Sequence, residues 1–135
     1  MTHRSERRDC DAAIVLVRAD LVHARALIEG ADRDPKAWRV VAPPYVTTTV
    51  WESYRNTLAR DPRINLGILN GAYISILGIQ SMIPLGTPDP NFVPQALDAL
   101  SQAIEHLDQH RVRRRLLPRR PGRPTGGDIE QAEAG

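Results

Sequence analysis

The sequence predicts an all-α fold, a small bundle of about four helices. Three observations carry this. Apolar residues recur at three- and four-residue steps in four separate stretches. Capping residues and prolines stand at the heads of those stretches. No stretch alternates well enough to compete as a strand: the best rival, WRVVA at Trp38 to Ala42, is short and runs into two prolines. The predicted helices cover 9–29, 49–60, 62–82 and 93–110, with a long loop over 30–48. A flexible segment, 1–8, precedes them and a disordered Arg- and Pro-rich tail, 111–135, follows. A 135-residue chain fits one domain, and a body of roughly a hundred residues hides only about two thirds of its unfolded surface, so every apolar face is needed.

In the first helix Ile14, Val17, Leu21, Ala24 and Ile28 form the stripe, Asp9 stands where a cap is needed, and Gly30 stands where the helix should stop. Arg18, Arg25 and Glu29 mark its wet side. Residues 30–48 hold three prolines and no sustained period, which reads as a loop pinned to the bundle by Trp38 or Val40. Thr49 and Glu52 match the capping box of a short second helix with Val50, Trp51, Tyr54 and Leu58 on one face. Asp61 and Pro62 read as the cap and first turn of the third, because proline lacks the N–H that a helix start leaves unpaired anyway. The fourth carries Val93, Ala96, Leu97, Leu100, Ile104 and Leu107, with Pro94 in its first turn.

The third helix raises the membrane question. Ile64 to Gly86 is 23 residues without a charge, long enough to cross a bilayer. Ile64, Ile68, Leu69, Ala72, Ile76, Ile79 and Met82 fall on one broad side, Leu66 and Leu77 lie behind, and Gly67, Gly71, Ser75 and Gly78 form an adjoining stripe of small residues suited to helix packing or a dimer contact. Such a stripe lets two backbones approach in lipid or in a soluble bundle. Asn65, Asn70 and Gln80 are expensive in hydrocarbon, Pro84 shortens the usable helix, and Arg55, Arg60 and Arg63 would orient a single crossing so as to export the basic tail. The reading is therefore a helix covered by protein, with membrane association through 64–82 as the alternative.

Chemistry-bearing residues are few. His106 and His110 are four apart, a metal-ligand spacing, but they project away from the Leu100 stripe with no further ligands nearby, so they read as exposed and non-ligating. Asp32 and Asp34 read as solvated loop residues, and Asp61 is already used as a cap. Cys10, flanked by Asp9 and Asp11, has neighbours that disfavour a thiolate. No nucleophile triad, phosphate-binding glycine loop or dinucleotide fingerprint is present. The expectation is a non-enzymatic protein with no catalytic residue, no metal, no cofactor and no small-molecule substrate. A helix-turn-helix reading of the second and third helices fails because the third presents glycine and aliphatic side chains where base edges need donors and acceptors.

The charge is unevenly placed. Residues 1–110 carry 11 basic and 13 acidic side chains, whereas 111–135 carry seven arginines against three acids. Arg111, Arg113, Arg114, Arg115, Arg119, Arg120 and Arg123 are thus candidate contacts for a polyanion, either nucleic acid or an anionic membrane surface. That segment holds no aromatic residue to stack on bases, so little sequence discrimination is expected. A single cysteine excludes an internal disulfide and fits a reducing compartment. The apolar run AAIVLV at Ala12 to Val17 is too short for a signal peptide, so cytoplasm is the expected location. A protein partner or a homo-oligomer is expected.

The segment Trp51-Glu52-Ser53-Tyr54-Arg55-Asn56-Thr57-Leu58, with Trp38 before it and Ala72-Tyr73 after it, resembles a pattern of small uncharacterised helical bacterial proteins. The resemblance covers about 35 of 135 residues. It implies a helical architecture and brings no activity, cofactor or functional residue.

Overall fold

The computed structural model describes residues 3–116, with side chains from Arg7 to His110. Among these residues the fold is all-α. It comprises α1 (His3–Arg33), α2 (Thr49–Ala59), α3 (Leu66–Met82) and α4 (Phe92–Leu116), with short 3₁₀ segments at Pro35–Val40 and Ile83–Leu85. The helix α4 packs against both α1 and α3, and α2 packs against α1 and α3. Cross-contacts fix the directions. The His106 ring meets Asn65 at the head of α3 while Phe92 lies against Gly78 near its end, so α3 and α4 are antiparallel. Arg18 pairs with Asp108 and Arg25 donates to Ser101, so α1 is antiparallel to α4 as well. These two arginines, expected on a wet side, are in fact half-buried at the α1–α4 seam.

The predicted stripes are the core. Ile14, Val17, Leu21, Ala24 and Ile28 of α1 are buried, as are Trp51 and Leu58 of α2 and Val93, Ala96, Leu100, Ile104 and Leu107 of α4. Tyr54, Val50 and Leu97 pack partly buried against them.

The helix ends differ from expectation, each for a physical reason. The first helix begins at His3, so Asp9 is an exposed residue within α1 and not its cap. Arg and Glu are good helix formers, and no breaker separates His3 from the buried turn at Ala13 and Ile14. At its other end α1 runs through Gly30, because Ile28 and Ala31 are both fully buried and their packing outweighs the roughly 1 kcal/mol cost of a helical glycine. The helix stops at Asp34, which precedes proline, adopts an extended backbone (φ −133°) and accepts the Lys36 N–H.

Residues 34–48 are thus less loop-like than predicted. Trp38 is buried as expected, but Val41 and Val46 are the other anchors, whereas Val40 is only half-buried. The Gln80 side-chain amide of α3 donates to both the Val41 (2.9 Å) and Val46 (2.8 Å) carbonyls and so holds this segment to the bundle.

Thr48, not Thr49, precedes α2, and its hydroxyl bonds the Glu52 carboxylate. Asp61-Pro62 does not open α3. Asp61 closes a turn, accepting from the Arg63 backbone N–H at 3.0 Å. The cap is Asn65, whose Oδ1 accepts from Gly67 and Ile68. Both Asp-Pro and Asn-Leu-Gly are legitimate helix starts; tertiary contacts of Asp61, described below, decide between them. Finally α4 continues to Leu116, six residues beyond the predicted end. The rest of the predicted tail, from residue 117 on, lies outside the described residues.

The small-residue stripe on α3 is not one continuous packing surface. A Cβ added at Gly78 would come within 2.9 Å of the Phe92 ring, whereas one at Gly71 would meet nothing within 4 Å. Gly71→Ala should therefore stabilise by up to about 1 kcal/mol through lost unfolded-state freedom. Gly78→Ala must displace Phe92 and should fall at least about 1 kcal/mol below it. Urea denaturation of the two variants tests the difference.

Candidate functional site

Three arrangements bear on function: a polar bond inside the core, a cluster where three chain segments meet, and the outer side of α3.

In the core, Tyr73 of α3 is buried, stacks on Trp51 of α2 (ring centroids 5.2 Å apart, planes 12° apart) and donates its hydroxyl to Asp20 of α1 at 2.6 Å. One side chain therefore ties three helices. Burial pushes the Asp20 carboxyl above its ordinary range, against the opposing pull of the Tyr73 hydroxyl and His23. Burial and the adjacent carboxylate push the Tyr73 phenol upward, so it remains a donor. Aromatic periodicity placed Trp51 and Tyr54 in the core, but nothing local in the sequence pairs Tyr73 with Asp20.

The cluster involves residues that looked isolated. Cys10 donates to Asp61 Oδ2 at 3.5 Å, and His110 Nε2 lies 3.5 Å from the same oxygen. His110 is only 5% exposed, which overturns its reading as a solvated residue. His106 is also not free in solvent: its Nε2 accepts the Asn65 N–H at 2.9 Å. Arg63 braces Asp61 from outside with Nε (3.1 Å) and Nη2 (3.2 Å). Burial raises the Asp61 carboxyl, but the side-chain and backbone bonds from Arg63 and the Cys10 thiol outweigh it and hold the carboxyl below its ordinary range.

Cysteine, histidine and aspartate together resemble a nucleophile triad, but the order of bonds is wrong for one. A nucleophilic thiol must give its proton to an imidazole that a carboxylate orients; here the thiol donates directly to the carboxylate. Cys10 and His110 are both buried, so the cluster serves as a polar knot joining α1, the α2–α3 turn and α4. Among the described residues no set of three or more His, Cys, Asp or Glu side chains is arranged to hold a metal ion.

On the outer side of α3, the predicted stripe divides. Gly67 lines a shallow groove of about 420 Å³ between α2 and α3, together with Trp51, Arg55, Asn56, Leu66 and Asn70. Ser75 bonds the Gly71 carbonyl of its own helix, and Gly78 abuts Phe92. Beside this stripe Ile74 is 58% and Leu77 50% exposed. Of the predicted polyanion contacts, Arg111, Arg113, Arg114 and Arg115 occupy the last turns of α4, while Arg119, Arg120 and Arg123 lie outside the described residues.

The Asp20–Tyr73 bond has a pH signature. An aspartate raised in the folded state takes its proton before the unfolded chain does, so its contribution to stability improves as pH falls through the folded value. Asp61, being lowered, works oppositely: its contribution is present above the unfolded value, near 4, and is lost as pH falls through the folded one. Tyr73→Phe should cost about 1 kcal/mol at pH 7, because Asp20 loses its donor while keeping part of its hydration. The cost should shrink as pH falls from 7 toward 4. Asp20→Asn keeps an acceptor for Tyr73 and should be neutral or stabilising at pH 7. Urea midpoints across that range check both.

Comparison with protein families, curated proteins and solved structures yields no match to this chain.

Proposed function

We propose that this chain is a non-enzymatic, cytoplasmic helical interaction protein that pairs with a second copy of itself along the outer face of α3 and contacts a polyanion through its Arg-rich C-terminal segment. The observation that carries the pairing is the bare, uncharged side of α3. Gly67, Asn70, Gly71, Ile74, Leu77 and Ser81 follow the three- and four-residue steps of a helix-pairing seam. Asn70, Ile74, Leu77 and Ser81 of that row are exposed. A row with no charge of either sign can meet its own copy without like-charge repulsion, and Gly67 and Gly71 permit close approach.

A second reading has its own support. The stretch Leu66–Leu85 is long and apolar enough by composition to cross a bilayer, and only 28% of it is buried in the bundle. Against a crossing stand the inward bonds of the same helix, from Tyr73 to Asp20 and from Gln80 to Val41 and Val46, which a span would have to give up.

Light scattering on the detergent-free chain separates these readings. A soluble dimer that Ile74→Glu/Leu77→Glu converts to a helical monomer is the expected result, since each glutamate would be buried unpaired at the seam. A wild-type monomer would sink the pairing, and recovery only with detergent would transfer the face to lipid.

A further inference from the structure

We infer that the two helix ends flanking the Cys10–Asp61–His110 knot, together with the α2–α3 turn, form a basic pole that grips the phosphodiester backbone of a nucleic-acid duplex. This rests on the polyanion reading above and moves its centre from the tail to the folded body.

The knot marks one level of the bundle, because Cys10 and His110 both meet the same Asp61 oxygen. Beyond that level α1 extends outward through residues 3–9 and α4 through 111–116, as antiparallel neighbours. The α2–α3 turn lies at the same end. Arg4, Arg7 and Arg8 come from α1, Arg60 and Arg63 from the turn, and Arg111, Arg113, Arg114 and Arg115 from α4. Nine arginines thus share one pole with four carboxylates, Glu6, Asp9, Asp11 and Asp61, and Asp61 is already held by Arg63 and Cys10. The remainder of the described chain carries six basic side chains against nine acidic ones. The body is therefore electrically polarised, although its sequence up to residue 110 is net acidic.

Arginine positions gathered on adjacent helix ends favour a polyanionic partner, because a row of phosphates relieves repulsion among like charges. Arg7, Arg8 and Arg60 are exposed. Arginine matches phosphate geometry through paired N–H donors. Of the large exposed apolar side chains among the described residues, Tyr45, Ile74, Leu77 and Leu85 belong to other parts of the molecule, while Val15 and Leu16 lie on α1 within two turns of Cys10. Its contributing stretches, 3–11, 60–63 and 110–116, contain no aromatic residue to stack on single-stranded bases. A duplex backbone, read by charge and not by sequence, fits best.

The test is fluorescence anisotropy of a labelled 20-base-pair DNA duplex, titrated between 50 and 200 mM salt. Three full-length chains are compared: wild type, Arg7→Ser/Arg8→Ser/Arg60→Ser, and Arg119→Ser/Arg120→Ser/Arg123→Ser. Circular dichroism and thermal midpoints should match among them, the three pole positions being exposed. The pole variant should bind at least about tenfold more weakly at 50 mM salt, with a logarithmic salt slope shallower by about 2–3, since each lost phosphate contact removes about 0.9. Two unrelated duplex sequences should bind wild type equally. A pole variant that binds like wild type while the tail variant fails would overturn the pole and leave the tail as the contact. No binding by wild type would remove both. Wild-type binding to phosphatidylserine vesicles without duplex binding would reassign the pole to a membrane surface.

Discussion

The inner face of α3 is the element on which the bundle depends. Leu69, Ala72, Tyr73, Ile76 and Ile79 are all buried there, and α4 covers them along most of the helix. Burying each large side chain of this set contributes roughly 1.5–3 kcal/mol, against a net stability for a domain of this size of only about 5–15 kcal/mol. Yet the row is almost featureless chemically, and aliphatic contacts alone would specify the bundle poorly. Registry comes from the polar groups set into it. The Tyr73 hydroxyl bonds Asp20 of α1, the Gln80 amide bonds the Val41 and Val46 carbonyls, and the head of α3 is held by His106 of α4. A slip of either neighbouring helix by one turn would leave one of these groups buried without a partner, at a cost comparable to several apolar contacts.

The same logic explains where local sequence signals sufficed and where they did not. Apolar periodicity is a property of one helix at a time, so the stripes of α1, α2 and α4 were readable residue by residue. Helix ends were less so, because an end is a competition between neighbouring signals that tertiary contacts settle. Gly30 lost to the burial of Ala31; Asp61 lost to Asn65 once Cys10, Arg63 and His110 had claimed its carboxylate. His110 looked solvated because it sits beside the apolar stripe of its own helix, and only the arrival of Asp61 from 49 positions away closes over it. The basic pole was half legible. The C-terminal arginines stood out as a run, while Arg4, Arg7, Arg8, Arg60 and Arg63 sit among acids in a segment of net negative charge, and only the antiparallel packing brings them beside that run.

The open face of α3 follows from a mismatch of lengths. At about 1.5 Å per residue, α2 spans roughly 16 Å and α3 roughly 26 Å. The two run antiparallel, Trp51 lying over Tyr73 and Ala59 lining the groove beside Leu66 and Gly67. Helix α2 therefore covers the first two turns of α3 and begins, in chain order, at the level of Tyr73. Past that level the 41–46 segment, clamped by Gln80, is drawn toward α3, and Ile74, Leu77 and Ser81 remain exposed. Lengthening α2 toward its N-terminus would close the gap, but the Thr47–Thr48 turn and the Pro43–Pro44 pair forbid it, since proline within a helix removes a hydrogen bond and clashes with the preceding turn. The bare half of α3 is thus built into the chain by where its prolines stand. Among the described residues no further segment between 34 and 92 covers it, and it is this uncovered length that the proposed pairing with a second copy would use.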